Sequence, residues 1–330
     1  MSAEITSTVW GIAPWSDELL KVSGDVERGR ADLADETRQD AADFGTYHEV
    51  LAAAGIDYRS SWAGGKRDYF RGLVVGSHGF REGITEAPVT RWFDTNTFFR
   101  QPTIEGPLHN PQAAGHGYHQ AFLEAADHPS AYQPTYLSPY AFARLADRGA
   151  DVSEANAHSF IGDLYDELLN DAERQAVTHV LFHEPYAPYH QIDKLERAKL
   201  KHDIGSLAAN HPSLKVGVYF SFGDGTEFIR DFAADDRLDA IGCDLQRTPI
   251  EGLIQVPDHR FLAGIVDGAN TLVRDDEEII AELEALEAAI EAPEVSVTHT
   301  IDLEHLPRAY AFEKIAQIGR IARATGVEDE

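Results

Sequence analysis

Short apolar runs alternate with longer, acidic, helix-like stretches along most of this chain. Residues 5–11 form a first apolar strand. Residues 17–54 are helix-like and very acidic, with Leu19-Leu20, Leu33 and Val50-Leu51 as their apolar positions. Residues 55–88 are rich in Gly and aromatics, and the Arg91 stretch that follows has the strand-forming residues of a second strand. From residue 133 the alternation is regular. Strands are expected at 133–139, 178–183, 214–221, 239–243, 260–266 and 294–298, with helices at 158–176 and 194–209 between them. Ile279, Leu283, Leu286 and Ile290 recur at spacings of 4, 3 and 4, one face of an amphipathic helix. Residues 306–325 give a closing helix with Pro307 in its first turn and Tyr310, Ile315, Ile318 and Ile321 as candidate core positions. Eight strands alternating with helices predict an α/β fold, a (β/α)8 TIM barrel. A doubly wound open sheet would carry a Gly-rich phosphate turn after its first strand, and residues 11–14 (GIAP) are not one. No internal repeat or low-complexity linker divides the chain. One domain over residues 1–330 is expected, with 55–130 as a long excursion over one barrel face.

Charge narrows the function classes. The 330 residues include 56 acidic and 28 basic side chains, a net charge of −28, and only 7 of the basic residues are Lys. The acid is dispersed along the chain. Nucleic acid and anionic membranes would be repelled, and the surface reads as that of a halophilic protein, adapted to high salt, where screening makes self-repulsion tolerable. No run approaches the roughly 18 apolar residues of a membrane span, the start lacks a signal-peptide pattern, and the single Cys243 excludes an internal disulfide. A cytoplasmic location is expected. Cys243 neighbours Asp244 on a strand, so the two face opposite sides, and Cys243 reads as a small core residue.

In a (β/α)8 barrel the chemistry sits where the strands end. Those ends are polar here: Arg91, Asp94 and Asn96; Glu184; Tyr219 and Ser221; Asp244; Asp267 and Asn270; His299 and Asp302. Strand ends and helix caps favour Asp, Asn and Ser in any case. Glu184, Asp244 and His299 stand out as catalytic candidates. Glu184 follows an apolar strand and precedes Pro185, which should hold its carboxylate at the barrel mouth. Of the 15 His, His116 and His119 form an i, i+3 pair near His109 and His128. His179 and His183 share a strand face about 13 Å apart, too far for one metal ion.

The order Arg91-Trp92-Phe93-Asp94-Thr95-Asn96, followed by Arg100-Gln101-Pro102, resembles a segment of the cobalamin-independent methionine synthases, especially their short single-barrel relatives. His183-Glu184-Pro185 is similar to that family's Asp-Glu-Pro, with His for Asp. Leu137-Ser138-Pro139-Tyr140 is similar to a Pro-containing turn, and Ala263 through Asn270 to a Gly-Val-Val-Asp-Gly-Arg-Asn segment. Trp10 through Lys21 looks like a degenerate Gly-Phe-Pro-Arg segment. The resemblance implies a methionine-synthase-type protein of methionine biosynthesis. Its substrates would be a methylated tetrahydropterin (folate) and homocysteine, the latter presented as a zinc-bound thiolate. The implied substrate-binding residues are Arg91, Asp94, Asn96, Asp267 and Asn270. Arg91 would meet an anionic tail or, on the plainer reading, pair with a carboxylate such as Asp94. The family's zinc ligands fall here on Tyr219, Ser221 and Asp244 and near Ile301, so a two-Cys zinc site cannot form and zinc is not expected in this chain. The resemblance then implies a zinc-less barrel acting with a zinc-bearing homologue. Two alternatives remain: a stand-alone methyltransferase with a non-standard site, and a uroporphyrinogen-decarboxylase-like enzyme, whose Arg side chains would hold substrate carboxylates.

Overall fold

A computed structural model describes residues 3–60, 69–76, 79–80, 83–107 and 132–326. His109, His116, His119 and His128 lie outside the described residues, with the rest of 108–131. The chain opens with β1 (Glu4–Val9), α1 (Asp17–Glu27) and α2 (Leu33–Ala54), then β2 (Tyr58–Arg59), α3 (Tyr69–Val74), β3 (Val75–Gly76) and β4 (Gly79–Phe80). A hairpin follows, β5 (Ile84–Arg91) and β6 (Phe98–Ile104), then β7 (Thr135–Leu137), α4 (Pro139–Leu145), β8 (Asp147–Arg148) and α5 (Glu154–Arg174). Next come β9 (His179–Glu184), α6 (Tyr186–His190), α7 (Lys194–Asn210), β10 (Lys215–Phe220) and α8 (Thr226–Phe232). The chain closes with β11 (Ala240–Asp244), β12 (Arg260–Val266), α9 (Asp276–Ile290), β13 (Glu294–His299) and α10 (Arg308–Thr325).

Eight strands lie side by side in the order β2-β1-β13-β12-β11-β10-β9-β7, and their pairings are parallel. A parallel bridge from Arg59 to Tyr132, with Gln133 N–H donating to Arg59 O at 2.9 Å, joins the two ends of this sheet. The result is the expected (β/α)8 barrel. Its second strand is not the expected one. The two-residue β2 takes that place, and the Arg91 stretch instead ends β5, which pairs antiparallel with β6 in a separate three-stranded sheet with β8. Its strand-forming residues are extended, as expected, but the turn at Asp94-Thr95-Asn96 folds them back on themselves rather than into the barrel. The helix expected over 17–54 is two helices. Gly29 takes a left-handed φ of 66° and the Asp32 side chain accepts from Asp35 N–H, starting a new helix.

The apolar periodicity finds its partners outside the barrel wall. Ile279, Leu283, Leu286 and Ile290 of α9 are buried, as are Ile315, Ile318 and Ile321 of α10; Tyr310, expected with them, is 42% exposed. Inside the barrel the filling is layered. Thr6, Thr8, Ser296, Gln133 and Arg260 form a polar floor, and Arg260 lies 3.7 Å above the Tyr58 ring. Leu181, Ala240, Leu262, Tyr219 and Trp10 fill the space above it. Among the described residues no helix is long and apolar enough to cross a membrane.

Most carboxylates of α1 and half of those of α9 are exposed, so the salt-adaptation reading can be tested on the folded chain. The thermal midpoint should fall as KCl is lowered from molar to millimolar. A flat or rising midpoint would show that the acidity is no salt adaptation.

Candidate functional site

Trp10, just past β1, sits on the barrel axis at the C-terminal end. Its ring lies 4.7 Å from His183, 4.6 Å from Tyr219 and 4.7 Å from His299. Around this aromatic plug the strand ends bring polar atoms into a buried layer. His183 Nε2 is 2.6 Å from Ser221 Oγ. The other ring nitrogen, Nδ1, faces Asp302 Oδ2 at 3.8 Å. Among the described residues neither of those two atoms has a hydrogen-bond partner. Asp302 is fixed by its other oxygen, which accepts from Ile12 N–H at 2.9 Å and from the Tyr69 hydroxyl at 2.5 Å. Burial lowers the His183 pKa well below the ordinary imidazole value and pushes Asp302 up to about 6.

His299 is held at both nitrogens. Trp10 N–H donates to Nε2 at 3.2 Å, and Nδ1 lies 2.8 Å from Ile301 O. A carbonyl only accepts, so the proton is on Nδ1, and burial takes the pKa down to about 4. Asp244 accepts from Gln246 N–H at 2.9 Å and from Arg247 at 3.0 Å. Burial outweighs both and raises its carboxyl to about 6. Glu184 departs from expectation. It alternates with His183 and so points to the other face of β9, where it accepts from Ala187 N–H at 2.8 Å and from the Ser138 hydroxyl. It braces the starts of α4 and α6 rather than facing the mouth. Cys243 is buried in the outer core, as its alternation with Asp244 implied, and burial pushes its thiol up.

Burial raises Glu184 to about 7, which gives a pH test. The folded state holds this proton between about pH 4.5 and 7 while the unfolded chain does not, so its contribution to stability falls as pH rises through that window and is level above it. Glu184→Gln keeps an acceptor for Ala187 N–H and removes the titration. Relative to wild type it should therefore gain on the order of 3 kcal/mol between pH 5 and pH 8. Denaturant unfolding at both pH values checks this; parallel curves for the two proteins would contradict it.

The hairpin tip lies over this layer. Phe93 stacks on Phe222 at 4.9 Å, Trp92 is 6.0 Å from Tyr69, and Thr97 reaches His305 at 3.4 Å. Arg91 does not pair with Asp94. Its exposed guanidinium donates to Thr95 O at 2.5 Å and Asn96 Oδ1 at 3.3 Å, while Asp94 accepts from Tyr189. Asp267 and Asn270 bond each other in the exposed loop after β12, with Asp267 also accepting from Ala269 N–H. A cavity of about 730 Å³ opens between the loop after β1, the hairpin tip and the start of α10, lined by Trp15, Asp17, Glu18, Phe98, Glu304 and Arg308. The chain order thus brings Tyr219, Ser221, Asp244 and His299 to one end of the barrel, with Arg91, Asp94 and Asn96 on the hairpin above them. Sequence reasoning placed Ser221 and Asp302 at strand ends but missed their meeting through His183. It missed Tyr69, and it named Trp10 only as the start of a degenerate family segment, not as the ring at the centre of this layer. The available signal was the strand parity that sets His183 inward.

Residues 42–291 match the family described as the cobalamin-independent synthase, N-terminal domain. The chain belongs to this family. Among curated relatives it is 26% identical over 317 residues to the 5-methyltetrahydropteroyltriglutamate–homocysteine methyltransferase of Streptococcus thermophilus, covering 91% of this chain and 41% of that protein. It is 24% identical over 323 residues to the enzyme of that name from Bifidobacterium animalis, covering 87% and 41%. The chain thus spans about two-fifths of the length of these relatives. A putative vitamin-B12-independent methionine synthase from Listeria monocytogenes shares the fold with a TM-score of 0.76 at 11% identity, over 97% of this chain and 98% of that one. A B12-independent methionine synthase from Shewanella, solved with selenomethionine, gives 0.71 at 14% identity, over 98% and 96%.

Within this cobalamin-independent synthase barrel the positions that the family resemblance assigned to zinc do not fit the metal. Tyr219 directs its hydroxyl to the carbonyls of His299 and Thr300 at 3.2 and 3.1 Å. Ser221 is bonded to His183, and Asp244 to Arg247. Among the described residues no three His, Cys, Asp or Glu side chains gather as a metal site.

Proposed function

We propose that this barrel serves methionine-synthase-type methyl transfer as a zinc-less partner. It binds a methylated tetrahydropterin and works beside a homologous barrel that holds the zinc and the homocysteine thiolate. The observation carrying this reading is the redirection of Tyr219 and Ser221 to protein partners. Among the described residues a barrel so arranged offers no donor set for a thiolate-activating metal, while its hairpin and its Asp267–Asn270 turn carry the segments that resemble the family's. A cavity of a size to take a small molecule lies beside the hairpin tip, between the loop after β1 and the start of α10. Arg91, Asp94 and Asn96 on the hairpin and Asp267 and Asn270 on the loop after β12 are the binding residues of this reading. Asp244 and His299 stand at the mouth, and Glu184 supports the wall behind it.

Titration calorimetry with methyl-tetrahydropterins carrying one or three glutamates tests the proposal. Arg91 is exposed and its internal bonds are confined to its own turn, so Arg91→Ala should leave the melting temperature nearly unchanged. It should weaken the triglutamate about tenfold, the size of one lost charge-assisted contact, and the monoglutamate less. Unchanged affinity for both ligands would remove Arg91 from the site, and no binding by the wild type would end the pterin reading.

A further inference from the structure

Three independent observations converge on Ser221. Its Oγ stands 2.6 Å from His183 Nε2. His183 Nδ1 and Asp302 Oδ2 are buried, face each other at 3.8 Å and lack other partners among the described residues. The rings covering the group, Phe93 and Phe222, are stacked on each other, and both hold left-handed backbone, with φ of 44° and 64°. Such a conformation in a non-glycine residue costs about 1–2 kcal/mol, and strain of this kind concentrates at working sites.

The proton placement follows from the orphaned atoms. A carboxylate accepts and cannot donate. With Asp302 ionised, a proton on His183 Nδ1 is the arrangement that sets an N–H against the carboxylate across this 3.8 Å contact. It leaves Nε2 as an acceptor, so Ser221 donates its hydroxyl proton to it. Asp302 is itself immobilised through Ile12 N–H and the Tyr69 hydroxyl.

We propose that Ser221 is an activated nucleophile, with His183 as its base and Asp302 as the positioning residue, and that it accepts acyl groups from small apolar esters or thioesters. This does not rest on the pterin reading. In the reaction Ser221 Oγ bonds to the acyl carbon as its proton passes to His183 Nε2. The bond from carbon to the leaving oxygen or sulfur then breaks, and the leaving group takes that proton. Water, deprotonated by His183, attacks the acyl-serine and releases the acid with the serine restored. The surrounding rings of Trp10, Tyr69 and Trp92 favour an apolar acyl chain, which enters when the Phe93–Phe222 stack parts.

The test uses the purified chain, an alkyl fluorophosphonate and peptide mapping by mass spectrometry, with p-nitrophenyl acetate as the turnover probe. One adduct on Ser221 and a burst of one equivalent of nitrophenol are expected. Ser221→Ala should show neither. Phe93→Ala should label faster. Asp302→Asn keeps acceptors for Ile12 and Tyr69 and should label about a hundredfold more slowly. If that variant does not fold, Ser221→Cys decides: its alkylation rate should titrate below the ordinary thiol value of about 8.5, which mere packing would not produce. No adduct on Ser221 in either wild type or Phe93→Ala, labelling of Asp302→Asn at the wild-type rate, or an ordinary thiol titration in the Ser221→Cys variant overturns the proposal.

Discussion

Gly264→Ala is expected to unfold the protein at denaturant concentrations where wild type is stable. Gly264 lies on β12 facing the barrel axis, and a Cβ there would fall on the Tyr219 hydroxyl and within 2.6 Å of Cys243 O. Tyr219 has no room to yield, because Trp10 packs against it at 4.6 Å and its hydroxyl is bonded to two carbonyls of the chain after β13. The carbonyl of Cys243 belongs to the neighbouring strand, so the alternative is to push two paired strands apart. Overpacking of this kind costs about 3 kcal/mol or more. The cause can be isolated. Tyr219→Phe removes the colliding oxygen, so it should cost stability alone and restore part of the loss in the Gly264→Ala background. A double-mutant cycle with no coupling between the two sites would show that the strand, and not the hydroxyl, sets the penalty.

Arg260→Ala should cost about 3–5 kcal/mol. The guanidinium is 4% exposed, stacked over Tyr58, and within reach of Thr8 and Gln133 at 3.5 and 3.3 Å. Its removal leaves a hole in the floor and takes a cation away from Asp239, 3.9 Å distant. Arg260→Met retains most of the volume and separates packing from charge. If packing dominates, Met restores most of the stability lost in Ala; if charge dominates, it does not. His179 reports on the same change. Its pKa is lowered to about 4, first by burial and then by Arg260, so in Arg260→Met the His179 ring should titrate at higher pH. An NMR titration giving an unmoved His179 would place the two groups out of electrostatic contact.

The barrel was legible in the sequence wherever strand and helix periods were long enough to show. The four-residue stripe of α9 and the buried runs of β9 to β13 follow directly from apolar spacing. The failures are where length or turn chemistry decided. A two-residue strand such as β2 carries no period to read. The Arg91 segment has the composition of a barrel strand, but a turn at its tip determined its partner. Side-chain direction was legible by parity at Cys243 and Asp244. The same parity, applied to His183 and Glu184, would have moved attention from the carboxylate to the imidazole. Tyr69 could not be placed, because the Gly-rich, aromatic stretch over residues 55–88 carries no apolar period to read. Arg91 was matched by its neighbours in sequence, whereas its bonds to Thr95 and Asn96 depend on the tightness of that turn.

The bonds made by Tyr219 and Ser221 bear on how freely sequences can pass between this arrangement and a thiolate-metal one. Tyr219→His on its own would remove the hydroxyl shared by two carbonyls and leave a gap beside Trp10. Ser221→Cys would put a larger, weaker donor against His183, and Ile301→Cys would thin the core near Gly268. Each substitution made singly loses a contact before any metal could repay it. Passage from this arrangement to a thiolate-metal one therefore calls for several substitutions together, because the packing around Tyr219 and Ser221 penalises each one made alone.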